Sequence, residues 1–153
     1  MTGSEYANRI ASYVLKNYGD RGVEVYRELS LGKTIIGKNR RMDILVVNMD
    51  TDKAFCIECK FQDTQGTVDE KIPYALADME SVRTYIPGCI AYAGGGLSVG
   101  VQHMLQASPI AAYCLPPETL ARGSATEELD HLLAMTFHWW DLLIGTKRPF
   151  RLS

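Results

Sequence analysis

The chain has 153 residues, enough to bury one sizeable core and too few for two ordinary domains. Its 46% hydrophobic and 22% charged residues exclude the disordered, collagenous and membrane-spanning classes, and no run nears the roughly 18 apolar residues that a span needs. A formal net charge of −2 excludes a protein that coats nucleic acid by bulk attraction, since that affinity comes from neutralising phosphates with Lys and Arg.

Taken in chain order, Tyr6, Ile10, Tyr13 and Val14 fall at helical spacing and predict a helix over 4–18, with Ser4 as N-cap and Gly19 as its stop. Val23 to Leu31 alternates and is rich in β-formers. Gly32 and Gly37 bracket a connection to a second strand, MDILVVNM, so a hairpin is expected. After a turn at Asp50, Thr51 and Asp52, KAFCIECKFQ reads as a third strand with Phe55, Ile57, Cys59 and Phe61 on one face. Thr67 and Glu70 have capping-box spacing at the head of a helix that runs towards Pro87, with Pro73 expected to kink or restart it.

CIAYA, from Cys89 to Ala93, reads as a buried strand ending in Gly94, Gly95 and Gly96. A short helix over 99–106 and a strand over 110–115 follow, and one long helix is expected from Ala125 to Ile144. Strands separated by helices indicate a single α/β domain over 1–153, a mixed central sheet flanked by helices on both faces. The last helix carries Leu129, Leu132, Leu133, Phe137, Trp140 and Ile144 as one stripe, widened by Met135, Trp139 and Leu142. A stripe that wide fits either full burial or a homo-oligomer interface.

The chemistry concentrates in the second and third strands. Strand parity puts Glu58 and Lys60 on one face, and hairpin pairing across the Asp50–Asp52 turn brings Asp43 towards them. A strand reading Phe-Cys-Ile-Glu-Cys-Lys-Phe has little solvent-facing character, and carboxylates at buried positions need a partner or a metal. Two converging carboxylates beside a backbone carbonyl make an oxygen-rich site suited to Mg²⁺.

RMDILVV, a turn, then CIECKFQ resembles the signature of the PD-(D/E)xK, or restriction-endonuclease-like, nuclease superfamily, in which a β-hairpin carries D followed by ExK. The order of elements resembles that family's αβββαβ core through Ala93, about two thirds of the chain. The resemblance implies Mg²⁺-dependent hydrolysis of DNA phosphodiesters, with Mn²⁺ able to substitute. Asp43, Glu58 and the Cys59 carbonyl would be metal ligands and Lys60 would act at the attacking water. The family often adds an acid from the first helix, here Glu5, which equally reads as a first-turn partner of the helix dipole. Gln62, Gln65 and Lys71 match a stretch that follows ExK in some members. Met42 stands where the motif's proline would be.

Within that frame the alternatives are a restriction, homing or phage-type endonuclease, a structure-specific junction resolvase or repair nickase, and a silent DNA-binding module. A homo-oligomer is expected where both strands are cut, with no membrane association and a cytosolic, bacterial or phage-encoded setting.

Two basic segments, KTIIGKNRR with Lys33, Lys38, Arg40 and Arg41, and the C-terminal TKRPFRLS, stand out in an acidic chain. The first leads directly into Asp43, and reads either as phosphate contact or as a solvated hairpin tip. Cys56 and Cys59 spell CxxC, but their odd separation on a strand points them to opposite faces, whereas zinc ligands must converge. All four cysteines are expected as reduced structural thiols. Gly94 to Gly96 lacks the GK[ST] ending of a phosphate loop and reads as a turn, or as a place where backbone nears a DNA phosphate.

Overall fold

The computed structural model describes all residues, Met1–Ser153. Helix α1 spans Gly3–Tyr18, one residue earlier than expected, because the Thr2 hydroxyl rather than Ser4 accepts the Glu5 N–H at 3.1 Å. Gly19 does not stop the chain turning. A 3₁₀ turn over Gly19–Arg21 carries on to Gly22, whose φ of 86° ends it. Strands β1 (Val23–Lys33), β2 (Asn39–Asn48) and β3 (Ala54–Phe61) form an antiparallel meander, and both hairpin strands run further towards their tip than the alternation suggested.

Helix α2 (Val68–Val82) passes through Pro73 without restarting, and Thr67 makes no cap bond. The Gln62 side chain does that work instead, its Oε1 accepting the Val68 N–H at 2.8 Å. Strand β4 (Gly88–Ala93) lies parallel to β3, and β5 (Ala111–Tyr113) parallel to β4, with helix α3 (Val99–Ala107) between them. The sheet order is β1-β2-β3-β4-β5, the expected mixed sheet.

The last helix is not continuous. Helix α4 (Glu127–Phe137) ends at His138, which adopts a left-handed φ of 64°, and a short helix α5 (Trp140–Ile144) follows. The break folds Trp139 inward against Tyr18 and Phe137, and leaves Met135, Trp140 and Ile144 about half exposed. Full burial of the stripe is therefore corrected: Leu129, Leu133, Phe137 and Trp139 enter the core, Leu132 and Leu142 pack half-buried against it, and Met135, Trp140 and Ile144 stay outside.

Helices α1 and α4 cover one face of the sheet in a large aromatic core built on Tyr6, Ile10, Tyr13, Ile57 and Leu133. Within it the Tyr13 and Tyr18 hydroxyls donate to buried Asp130 at 2.6 and 2.7 Å, which satisfies an acid that would otherwise be costly there. The other face, under α2 and α3, holds two smaller clusters around Met79 and Ile72. Cys56 lies on that side and Cys59 on the α1 side, so the CxxC pair diverges as parity requires; all four cysteines are free and buried.

One irregularity decides where the site sits. Val23 and Val25 pack on the α1 face, yet Leu31, of the same parity, packs on the α2 face. On β2, Ile44 and Val46 face α1 whereas Met42 faces α2. The change of face occurs at one rung. Glu28, in β1, takes a left-handed φ of 57° between the paired residues Arg27↔Ile44 and Leu29↔Met42, and the residue opposite it is Asp43.

Candidate active site

At that same rung β2 parts from β3. Their pairing runs from Val47↔Ala54 to Ile44↔Ile57 and stops, so the next pair in register, Asp43 and Glu58, face each other without a backbone bond between them. The Asp43 carboxylate fills the gap and accepts the Cys59 N–H at 2.7 Å through Oδ2. In an extended strand the N–H and C=O of one residue point to the same side, so the Cys59 carbonyl also faces the opening beside Asp43.

Glu58 and Lys60 project from β3 towards α2, each side chain about one fifth exposed, with Lys60 Nζ 3.6 Å from Glu58 Oε1. They line a cleft of about 170 Å³ walled by Met42, Tyr74, Ala75 and Met79, with Arg40, Arg41 and Asp78 at its polar side. Burial first, and then hydrogen bonding with and repulsion by the Asp43 carboxylate, push the Glu58 carboxyl up to about 8, against the pull of Lys60. Of the two acids only Glu58 has an ion-pair partner, Lys60.

The backbone of Asp43 is held from the α1 side. Arg27 Nε donates to the Asp43 carbonyl at 3.0 Å while its Nη1 donates to Asn8 Oδ1 on α1. Neither Arg27 nor Asn8 was singled out from the sequence, although the hairpin register, which sets Arg27 opposite Ile44 beside Asp43, contains the signal.

The other expected site side chains make no hydrogen bond or ion pair with Asp43, Glu58 or Lys60. Glu5 is exposed on the first turn of α1, and its side chain makes no hydrogen bond or ion pair. Gln62 is buried, with its amide committed to the Val68 N–H and the Gly96 carbonyl at 2.8 Å each, so it fastens the end of β3 to α2 and the glycine loop. That loop is a close approach rather than a free turn. A Cβ on Gly94 would stand 2.2 Å from the Gln62 carbonyl oxygen, and one on Gly96 would stand 2.4 Å from that of Thr64. Gly94 and Gly96 are thus spent on chain packing, while Gly95 between them is exposed with open space around it.

Lys33, Lys38, Arg41, Gln65 and Lys71 are exposed, with Arg41 3.7 Å from Glu28. Arg40 is corrected from a nucleic-acid contact to an internal brace. Its Nε and Nη2 each bond Asp78 at 2.9 Å, Nη1 bonds the Leu31 carbonyl, and only 6% of the side chain is exposed. Arg40 in turn holds the Asp78 carboxyl below the usual carboxylate range. Asp78 could have been noticed as the one acid among Ala75, Met79 and Val82 on the buried stripe of α2.

The largest cavity, about 680 Å³, opens at the ends of β4 and β5 and contains none of Asp43, Glu58 and Lys60. Three of its polar side chains are engaged within the fold: Arg9 bonds the Pro116 carbonyl, Gln102 the Leu97 carbonyl, and Glu128 the Tyr113 N–H.

Among solved structures, the chain is similar to the protein of unknown function AF1548, with a TM-score of 0.41, 12% identity, and coverage of 65% of this chain and 53% of that one. It is similar to a repair endonuclease from Pyrococcus abyssi, with a TM-score of 0.39, 15% identity, and coverage of 68% and 44%. It is also similar to EndoMS in an EndoMS–dsDNA2 complex, with a TM-score of 0.40, 16% identity, and coverage of 72% and 44%. The chain spans about half the length of these structures. By sequence, no curated protein matches it. The model of the PD-(D/E)XK nuclease superfamily domain matches residues 2–140, a span that includes the Asp43, Glu58 and Lys60 cluster and all five strands; the chain belongs to that superfamily.

Proposed function

We propose that the chain hydrolyses DNA phosphodiester bonds with a divalent cation, Mg²⁺ or Mn²⁺, held by Asp43, Glu58 and the Cys59 carbonyl. The observation that carries this reading is the rung at which β2 and β3 part, where two acids face each other and one of them is pushed up to about 8 by burial and by the other. Oxygen donors from one or two carboxylates, leaving room for water, are what Mg²⁺ takes. When bound, such a cation polarises the phosphodiester and lowers the pKa of water.

Asp43 is held in place by its bond from the Cys59 N–H, and Arg27 fixes the strand behind it. Lys60 stands close enough to Glu58 to orient an attacking water by hydrogen bonding, and its ammonium opposes the negative charge that grows on the phosphoryl oxygens. Lys33, Lys38, Gln65 and Lys71 are exposed and free to meet backbone phosphates, and Arg41, exposed beside Glu28, could join them. Glu5 has no part in this donor set. A second copy, paired through the half-exposed Met135, Trp140 and Ile144, would place a second site for the opposite strand.

The test is cleavage of duplex DNA with Mg²⁺. Asp43→Ala and Lys60→Ala are each expected to lower the rate by about 10²–10³-fold, the order seen when a pre-set charge-stabilising group is removed, with the circular dichroism unchanged. Undiminished cleavage by both variants overturns the assignment. No cleavage of any nucleic acid by the parent protein, with no calorimetric heat on adding Mg²⁺ or Mn²⁺, replaces it with a silent DNA-binding module.

A further inference from the structure

We infer that the tip of the β1–β2 hairpin is an apolar wedge that unstacks duplex DNA beside the cleft, so that the substrate is DNA kinked or opened at the cleavage site. This rests on the nuclease reading of the cleft and adds to it the form of substrate.

The tip is a three-residue loop, Ile35, Ile36 and Gly37. Thr34 N–H donates to the Lys38 carbonyl at 2.7 Å, Gly37 N–H donates to the Thr34 carbonyl at 2.9 Å, and Gly37 closes the turn at a φ of 81°. The two central residues of such a turn are ordinarily polar or Gly, Pro, Asn or Asp. Here both are β-branched hydrocarbons, 47% and 61% exposed, at the outermost point of a hairpin. Nothing in the fold of the turn calls for them. Their exposure has a cost in water that binding removes.

Charge complementarity selects the occupant. Lys33 and Lys38 flank the pair, and neither has an acid within 4.0 Å; Arg41 follows in β2, exposed and 3.7 Å from Glu28. An apolar pair between cations fits a nucleic-acid groove, with hydrocarbon against unstacked bases and ammonium groups on the two backbones. Thr34, at the foot of the loop, lines the same cleft as Glu58 and Lys60, so whatever the tip opens lies next to the chemistry.

The tip is also held rigid. The Ile35 N–H donates to Asp78 Oδ1 at 3.1 Å, and Asp78 is locked by the buried Arg40 pair, so the loop is fastened to α2. A pre-set loop loses little freedom on binding, which a wedge requires.

The test uses the full chain carrying Asp43→Asn, to bind without cutting, and a duplex with 2-aminopurine stepped through the footprint. A several-fold fluorescence rise confined to one or two steps is expected, and Ile35→Ser with Ile36→Ser should abolish it and weaken binding about tenfold. Lys33→Ala with Lys38→Ala should instead flatten the salt dependence of affinity by a slope of about two. In an otherwise unmodified chain, the serine pair should slow cleavage of perfect duplex more than cleavage of a duplex with a mismatch bubble. Cleavage with no local fluorescence rise, or a rise that survives the serine pair, overturns the wedge and leaves the nuclease reading standing. Absence of both cleavage and DNA binding overturns both. A parent dimer that the serine pair converts to monomer, with the DNA response intact, reassigns the tip to self-association and overturns the wedge.

Discussion

The two faces of the sheet are built to different ends. Under α1 and α4 the core is continuous and aromatic, and its one buried acid, Asp130, is fully satisfied by Tyr13, Tyr18 and Thr126. Under α2 and α3 the apolar packing splits into two small clusters, and polar groups occupy that face: Glu58, Lys60 and the Arg40–Asp78 pair. The contrast teaches where a small domain can carry buried charge. One face holds the fold, which frees the other to keep a desolvated carboxyl beside a second one, an arrangement that works against stability and is useful only with a cation or substrate present.

The sharpest way to break that comparison is at Asp78. Asp78→Ala leaves the Arg40 guanidinium buried and unpaired and should cost about 3–5 kcal/mol in urea unfolding, whereas Arg40→Met with Asp78→Leu should come out near neutral. If the single substitution cost nothing, the α2 face would not be held by this pair. On the α1 face Ile10→Ala should cost about 2–5 kcal/mol as a cavity in close-packed surroundings, with its size read from the denaturant midpoint.

The pH dependence of stability is the most diagnostic test. The folded-state pKa of Glu58, about 8, lies above the ordinary value of 4.5, so the folded chain binds the extra proton between those values. The contribution to stability is complete below about pH 4.5 and is lost as pH rises through 8. The metal-free melting temperature should therefore decline across that window, Glu58→Gln should flatten the decline, and Mg²⁺ should reverse it in the parent chain alone. A parent profile that stays flat from about pH 5 to pH 8 without metal would show that Glu58 is ionised and solvated.

Much of this is legible in the amino-acid sequence. The strand periodicity of CIECKFQ fixes Glu58 and Lys60 together, and the Asp50–Asp52 turn sets the register that brings Asp43 opposite Glu58. Parity likewise separates Cys56 from Cys59. What escaped the sequence depends on departures from regular geometry. Nothing in VEVYRELSL announces a left-handed Glu28, so the change of face, and with it the burial of Arg40, could not be read from alternation. Nor does the helical stripe of 125–144 reveal that His138 would turn left-handed and send Trp139 and Trp140 in different directions. Gln62 stands out in the sequence for its place after ExK, while the structure spends it on the N-terminus of α2, a job that capping-box spacing assigns to Thr67.

The left-handed Glu28 has a further consequence. It makes the outer half of the hairpin an arm on a single joint, with the joint set at Asp43 and the far end clamped to α2 through Arg40 and Asp78. With the ladder to β3 ending at Ile44, this arm is tied to the rest of the fold at two places, the rung of Glu28 and Asp43 and the Arg40–Asp78 pair, so a displacement of its tip would be shared between Asp43 and α2.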